Sequence, residues 1–153
     1  MPYGRRLFKR RYYNKDKYSI EQSAGEISTG EGTDANIIVV PAADIQGMRK
    51  VKHLTVSMSG SYSGSTAAGN FYWALVYVPA GTSPNTLNIT GTNLYEPNQF
   101  VMNCGICDTD AGPIRIGSPV SRNLNSGDTI VLVIKAPSNA LYKYVVRYAM
   151  TLQ

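Results

Sequence analysis

Residues 141–152 read LYKYVVRYAMTL, and this stretch decides the fold class. Its even positions are Tyr142, Tyr144, Val146, Tyr148, Met150 and Leu152, while Lys143, Arg147 and Thr151 stand at odd ones. A period of two, apolar on one side and charged on the other, is a β-strand with one wet face. Residues 51–60 repeat the pattern, with Leu54, Val56 and Met58 opposite His53, Thr55, Ser57 and Ser59. Further short runs rich in β-branched and aromatic residues lie at 18–28, 36–40, 71–78, 99–106, 113–122 and 129–136. Clusters of Gly, Pro, Asn and Ser separate them, and no window of 11 to 18 residues carries a 3.6-residue period. Eight strands without helices predict two packed antiparallel sheets, a sandwich or a barrel.

Some of these strands are apolar on both faces. In 71–78, Phe71, Trp73, Leu75 and Tyr77 alternate with Tyr72, Ala74, Val76 and Val78, and 130–134 and 37–40 are continuous apolar runs. A sandwich strand normally keeps one solvated face. A second cover is therefore expected, from long loops or a neighbouring subunit, and a bare monomer is expected to expose these faces. The 80–98 loop is long for a structureless connection and is a candidate for part of that cover.

The charge lies elsewhere. Residues 1–18 hold seven basic side chains against Asp16 alone, a net of +6, whereas the rest of the chain holds eight basic and nine acidic groups, a net of −1. The sequence thus divides into a basic arm, 1–17, with no periodic apolar face, and a near-neutral β domain, 18–153. The arm is expected to be disordered without a partner. Arg5, Arg6, Lys9, Arg10, Arg11, Lys15 and Lys17 suit phosphates, and Tyr12 and Tyr13 can stack on unpaired bases. The 5–11 run also has the composition of a nuclear localisation signal.

Other classes find little support. No apolar run reaches the ~20 residues that span a bilayer, and the basic N-terminus is followed by no apolar core of a secretory signal. The 88–90 sequon is weak without such a signal. Cys104 and Cys107 form a lone CxxC whose positions, three apart on a strand, face opposite sides; buried reduced thiols are expected rather than zinc. Asp108 and Asp110 read as turn residues. His53, the only histidine, has no context that pairs it with a nucleophile and a carboxylate, so neither catalysis nor a cofactor is expected. A cupin-like enzyme would need a His-rich ligand set that is missing.

Four segments then stand out in order: RKVKHLTV at 49–56, WALVYVPAGTSP at 73–84, LYEPNQ at 94–99 and SRNLNSGD at 121–128, with VRYA at 146–149. In these the chain resembles capsid proteins of small circular, Rep-encoding single-stranded DNA viruses, the circovirus-like group. The resemblance implies a single eight-stranded jelly roll with strands B to I in sheets BIDG and CHEF. It implies self-assembly into a T=1 shell of about sixty copies, by heterologous contacts that close, with the arm inside on the circular genome. The virion and the host nucleus are the implied locations. Beyond itself and single-stranded DNA, a host nuclear import receptor and a cell-surface glycan are the implied partners, with no membrane insertion. The arm is shorter than the Arg-rich tract of many such capsids. Alternation places Lys143 and Arg147 of strand I, Arg115 of strand G, and His53, Thr55 and Ser57 of strand D on the wet side of BIDG. That side, expected to be free of acids, is the expected genome-facing wall. CHEF is expected to be covered. The competing reading is a cellular monomeric β-sandwich module that binds single-stranded nucleic acid or a glycan.

Overall fold

The computed structural model describes residues 18–62, 69–82, 100–109 and 112–152. The arm, with Arg5, Arg6, Lys9, Arg10, Arg11, Tyr12, Tyr13, Lys15 and Lys17, lies outside the described residues, as do the sequon, Asp110 and most of the 80–98 loop.

The described chain contains nine strands: β1 (Ser19–Thr29), β2 (Asp34–Val40), β3 (Arg49–Tyr62), β4 (Asn70–Val78), β5 (Val101–Asp108), β6 (Ile114–Ser118), β7 (Arg122–Leu124), β8 (Thr129–Lys135) and β9 (Ala140–Leu152). One sheet runs β1-β9-β3-β6, with β7 also on β3, and the other runs β2-β8-β4-β5. Every pairing is antiparallel. With β1 to β6 as strands B to G, and β8 and β9 as H and I, these orders are BIDG and CHEF. The fold is an all-β jelly-roll sandwich.

The core lies between the sheets. Val56, Met58, Ile116, Tyr142 and Val146 from BIDG meet Ile37, Phe71, Leu75, Leu132 and Ile134 from CHEF. The rings of Phe71 and Tyr142 pack across the interface, 5.3 Å between centroids at 54°. Two glycines make room for large rings. A Cβ on Gly60 would stand 2.5 Å from Tyr142, and one on Gly105 would stand 2.7 Å from Trp73.

The expected strand at 113–122 is split. β6 ends at Ser118, before Pro119, which has no N–H to give a ladder. The chain resumes as β7, whose Arg122, Asn123 and Leu124 pair with Val51, Lys50 and Arg49 at the start of β3. The gap between β6 and β7 coincides with an irregularity in β3. There Lys52 pairs with Ala149 and Thr55 with Arg147, so His53 and Leu54 together oppose Tyr148. This is a β-bulge, and His53 sits in it with φ +53°, the left-handed region that histidine enters more readily than most side chains.

The bulge reverses the parity of β3. Before it Arg49 and Val51 point inward; after it Leu54, Val56 and Met58 do. Lys50 and Lys52 therefore project outward, where uninterrupted alternation would have put Lys52 on the core side.

The outer face of CHEF is covered over its central strands. Ala74, Val76, Val78, Val131 and Val133 are buried, with Phe100, Val101 and Cys104 packed against them. This corrects the expectation that a lone chain would expose the second apolar face of these strands. Exposed apolar side chains sit instead on the edge strands of this sheet, Ile38 on β2 at 62% and Ile106 on β5 at 55%.

Candidate nucleic-acid interface

The wet face of BIDG is built by register. β9 lies between β1 and β3, and its Lys143, Val145 and Arg147 project outward; at its end the expected alternation is reversed, with Thr151 buried and Leu152 exposed. Each outward row runs across neighbouring strands. Gln22, Arg147 and Thr55 form one row with Gly117 of β6. Ala24, Val145, Ser57 and Arg115 form the next, and Glu26, Lys143 and Ser59 the third. The three basic residues expected on this wall, Arg115, Lys143 and Arg147, are all exposed and share the face. Ile114 and Ile116, on either side of Arg115, are buried, so Arg115 is turned outward by simple alternation.

One expectation fails here. An acid does interrupt the set, because Glu26 projects from β1 and its carboxylate lies 3.4 Å from the Lys143 ammonium. Strand B supplies this acid, and its mixed small and polar residues give no alternation that would place Glu26 on the wet side. An exposed pair of this kind contributes about 0–1 kcal/mol to stability, but it partly cancels the Lys143 field. Arg115 and Arg147 have no carboxylate partner among the described residues.

The face also contains cations that alternation alone did not find. Lys52 is turned outward by the bulge, and its ammonium stands 4.7 Å from the centre of the Tyr18 ring. The signal was present in the sequence: Val51 and Leu54 both need burial, and an odd spacing between two inward residues demands an extra residue in the strand. With Lys50, Lys52, Arg115, Lys143 and Arg147 against Glu26, the outward face is strongly cationic.

A second polar constellation lies at one end of the sandwich and is closed rather than open. Asp128 is buried, 4% exposed, after the turn that ends at Gly127. Its carboxylate accepts from the Tyr77 hydroxyl at 2.6 Å, the Ala80 N–H at 3.0 Å and the Asn125 N–H at 2.8 Å. Arg49, 3% exposed, donates to the carbonyls of Asp128 and Pro41 at 2.9 and 2.8 Å. Burial by itself would raise the Asp128 pKa. The Tyr77 hydroxyl, the two backbone donors and the Arg49 charge outweigh that and hold the carboxyl below its ordinary value of 3.8. Burial raises the Tyr77 phenol, and the Asp128 hydrogen bond and charge add to the rise. The Arg122 guanidinium lies 4.1 Å over the Tyr77 ring.

This corner joins β3 and β7 of one sheet to β4 of the other. It draws Arg49, Tyr77, Ala80, Arg122, Asn125 and Asp128 from three of the four segments that carry the family resemblance. Every oxygen of the carboxylate is already engaged, which makes it an architectural clamp and not a site with a free reactive group.

The two thiols face opposite sides of β5, and both are half-buried rather than buried as expected. Cys107 packs against the main core and Cys104 against the cluster on the outer face of CHEF. Both are free. Among the described residues no three His, Cys, Asp or Glu side chains gather to hold a metal ion. His53 is exposed in its bulge and stands apart from any such group.

No protein-family model matches the chain, and no curated protein matches it.

Proposed function

We propose that this protein is a structural, non-enzymatic shell subunit that assembles into a T=1 particle of about sixty copies and packages circular single-stranded DNA. The observation that carries the reading is the inequality of the two outer faces. The open face of BIDG holds five basic groups against one acid, and the arm adds a further net +6. Both are suited to the same polyanion, and neither can neutralise the other. The jelly-roll order of the strands and the ordered sequence resemblance to circovirus-like capsids favour the same reading. On it, BIDG faces the genome, and lateral contacts between copies draw on edge residues such as Ile38 and Ile106. The virion and the host nucleus are the proposed locations, with the 5–11 run as the import signal.

A second reading is favoured by one specific observation. The apolar outer face of CHEF is covered without a second copy, as a monomeric β-sandwich module binding single-stranded nucleic acid or a glycan would require. Size-exclusion chromatography followed by electron microscopy separates the two. Closed particles containing nucleic acid are expected, and a monodisperse monomer at every salt and protein concentration would overturn the shell.

A further inference from the structure

The cationic face is not flat. A trough of about 590 Å³ crosses β1, β9 and β3, with Ala24, Val145 and Ser57 in one row and Glu26, Lys143 and Ser59 in the next. Its shape follows from side-chain length. Short residues flank the valine on both neighbouring strands, while long side chains stand at the borders. The volume lies within the roughly 300–1,000 Å³ of sites that take small organic groups.

Two cations stand near the trough without lining it. Arg147 lies two residues along β9 from Val145, about 7 Å at the strand rise. Arg115 lies two strands across in the row of Val145, about 10 Å at the usual strand spacing. Neither has a carboxylate partner among the described residues. The lining itself contains the Lys143–Glu26 pair, which offers a donor and an acceptor side by side. The centre is apolar where Val145 stands exposed, and the Ser57 and Ser59 hydroxyls line one wall.

We infer that this trough seats an unpaired nucleobase of the bound strand, with flanking phosphates on Arg115 and Arg147. The inference rests on the single-stranded DNA reading above and adds a contact to the base where that reading needs only charge. Charge complementarity selects the occupant. The basic arm of the same chain is repelled by this face, whereas a single-stranded polyanion is drawn to it and also presents flat apolar rings for the floor. Double-stranded nucleic acid would keep its bases stacked and leave the trough empty.

The test compares oligo(dT) with an abasic oligomer of equal length, both on the full-length protein at one salt concentration. Wild type is expected to bind the dT oligomer more tightly. The double variant Ala24→Leu/Ser57→Leu fills the trough without altering charge. It is expected to lose on the order of tenfold in affinity for dT and to keep its affinity for the abasic oligomer. A filled variant that retains the full preference for dT would overturn the trough. Wild type that binds neither oligomer would overturn the underlying nucleic-acid reading. Photo-crosslinking of a 4-thiothymidine oligomer to unmodified protein gives an independent result. Adducts within 57–59 and 143–145 are expected; adducts confined to Tyr12 and Tyr13 would refute the site.

Discussion

The two sheets of this sandwich turn opposite kinds of face to the outside. On BIDG the outward side chains are Lys52, Thr55, Ser57, Arg115, Lys143 and Arg147, most of them exposed. On the central strands of CHEF they include Ala74, Val76, Val78, Val131 and Val133, all buried, and only the edge strands leave Ile38 and Ile106 exposed among the described residues of that face. The strands share one chain and one core, so the difference reflects what each face meets. A charged open face keeps its side chains hydrated until a partner of opposite charge arrives. An apolar face must find cover for the chain to stay soluble. The contrast teaches that the alternation rule reports burial and not position in the fold, since CHEF strands read as doubly buried although they are outer strands.

The sharpest way to break this comparison is to put the same charge on both faces. Val76→Asp should destabilise the protein by about 4 kcal/mol or more, because it strands a carboxylate in an apolar cluster. Val145→Asp on the other sheet should change stability by no more than about 0.5 kcal/mol. Urea unfolding of the two variants measures the gap. Similar midpoints would mean that the outer face of CHEF is as open as that of BIDG.

The next largest effect concerns the clamp that joins the unlike sheets. Asp128→Ala leaves the Ala80 and Asn125 N–H groups and the Tyr77 hydroxyl without their acceptor, at a cost of about 2–4 kcal/mol. The pH dependence has a definite sign. The folded pKa of Asp128 lies below 3.8, so its stabilisation is complete above the unfolded value and is lost as pH falls through the folded one. Asp128→Asn should flatten the corresponding part of the acid limb in thermal melts recorded below about pH 4. An unchanged acid limb would show that the carboxylate is not held as described.

The smallest effects sharpen the charge side of the comparison. Arg115→Gln and Arg147→Gln should each weaken single-stranded DNA binding and lower the salt slope by about one, with melting temperature nearly unchanged. Lys143→Gln should do less, since Glu26 already opposes it. Glu26→Gln should act in the other direction and tighten binding by freeing Lys143. Fluorescence anisotropy titrations across a salt series order the four variants. A Glu26→Gln protein that binds more weakly would reverse the role assigned to that carboxylate.

Much of the architecture was legible before any coordinates. The alternation in 142–148 and 54–58 places the inward residues of β9 and of the second half of β3 correctly, because a half-buried strand imposes its period of two directly on composition; it fails at the end of β9, where Thr151 is buried and Leu152 is exposed. The same rule placed Arg115, Lys143 and Arg147 on one side. It missed Glu26 because residues 19–29 mix small and polar side chains on both faces, and only pairing to β9 gives that strand its sides. It missed Lys52 because parity counted from Leu54 fails across the bulge at His53. It missed the clamp altogether. Arg49, Tyr77 and Asp128 are far apart in the chain, and nothing in their local context distinguishes a buried polar network from surface charge.

Local patterning by itself determined that this protein is made of strands, where most of them run, which side chains face the core on the most regular of them, and that its excess positive charge is concentrated at the N-terminal end. These are properties of adjacent residues and survive without knowledge of neighbours. The tertiary structure alone decided that the central doubly apolar strands are covered within one chain, that Lys143 is paired and, among the described residues, Arg147 has no carboxylate partner, that the strand expected at 113–122 is split into β6 and β7, and that a buried carboxylate ties the sheets together. Each of those depends on which strands lie side by side and in what register, and register is set by long-range pairing that no local period encodes.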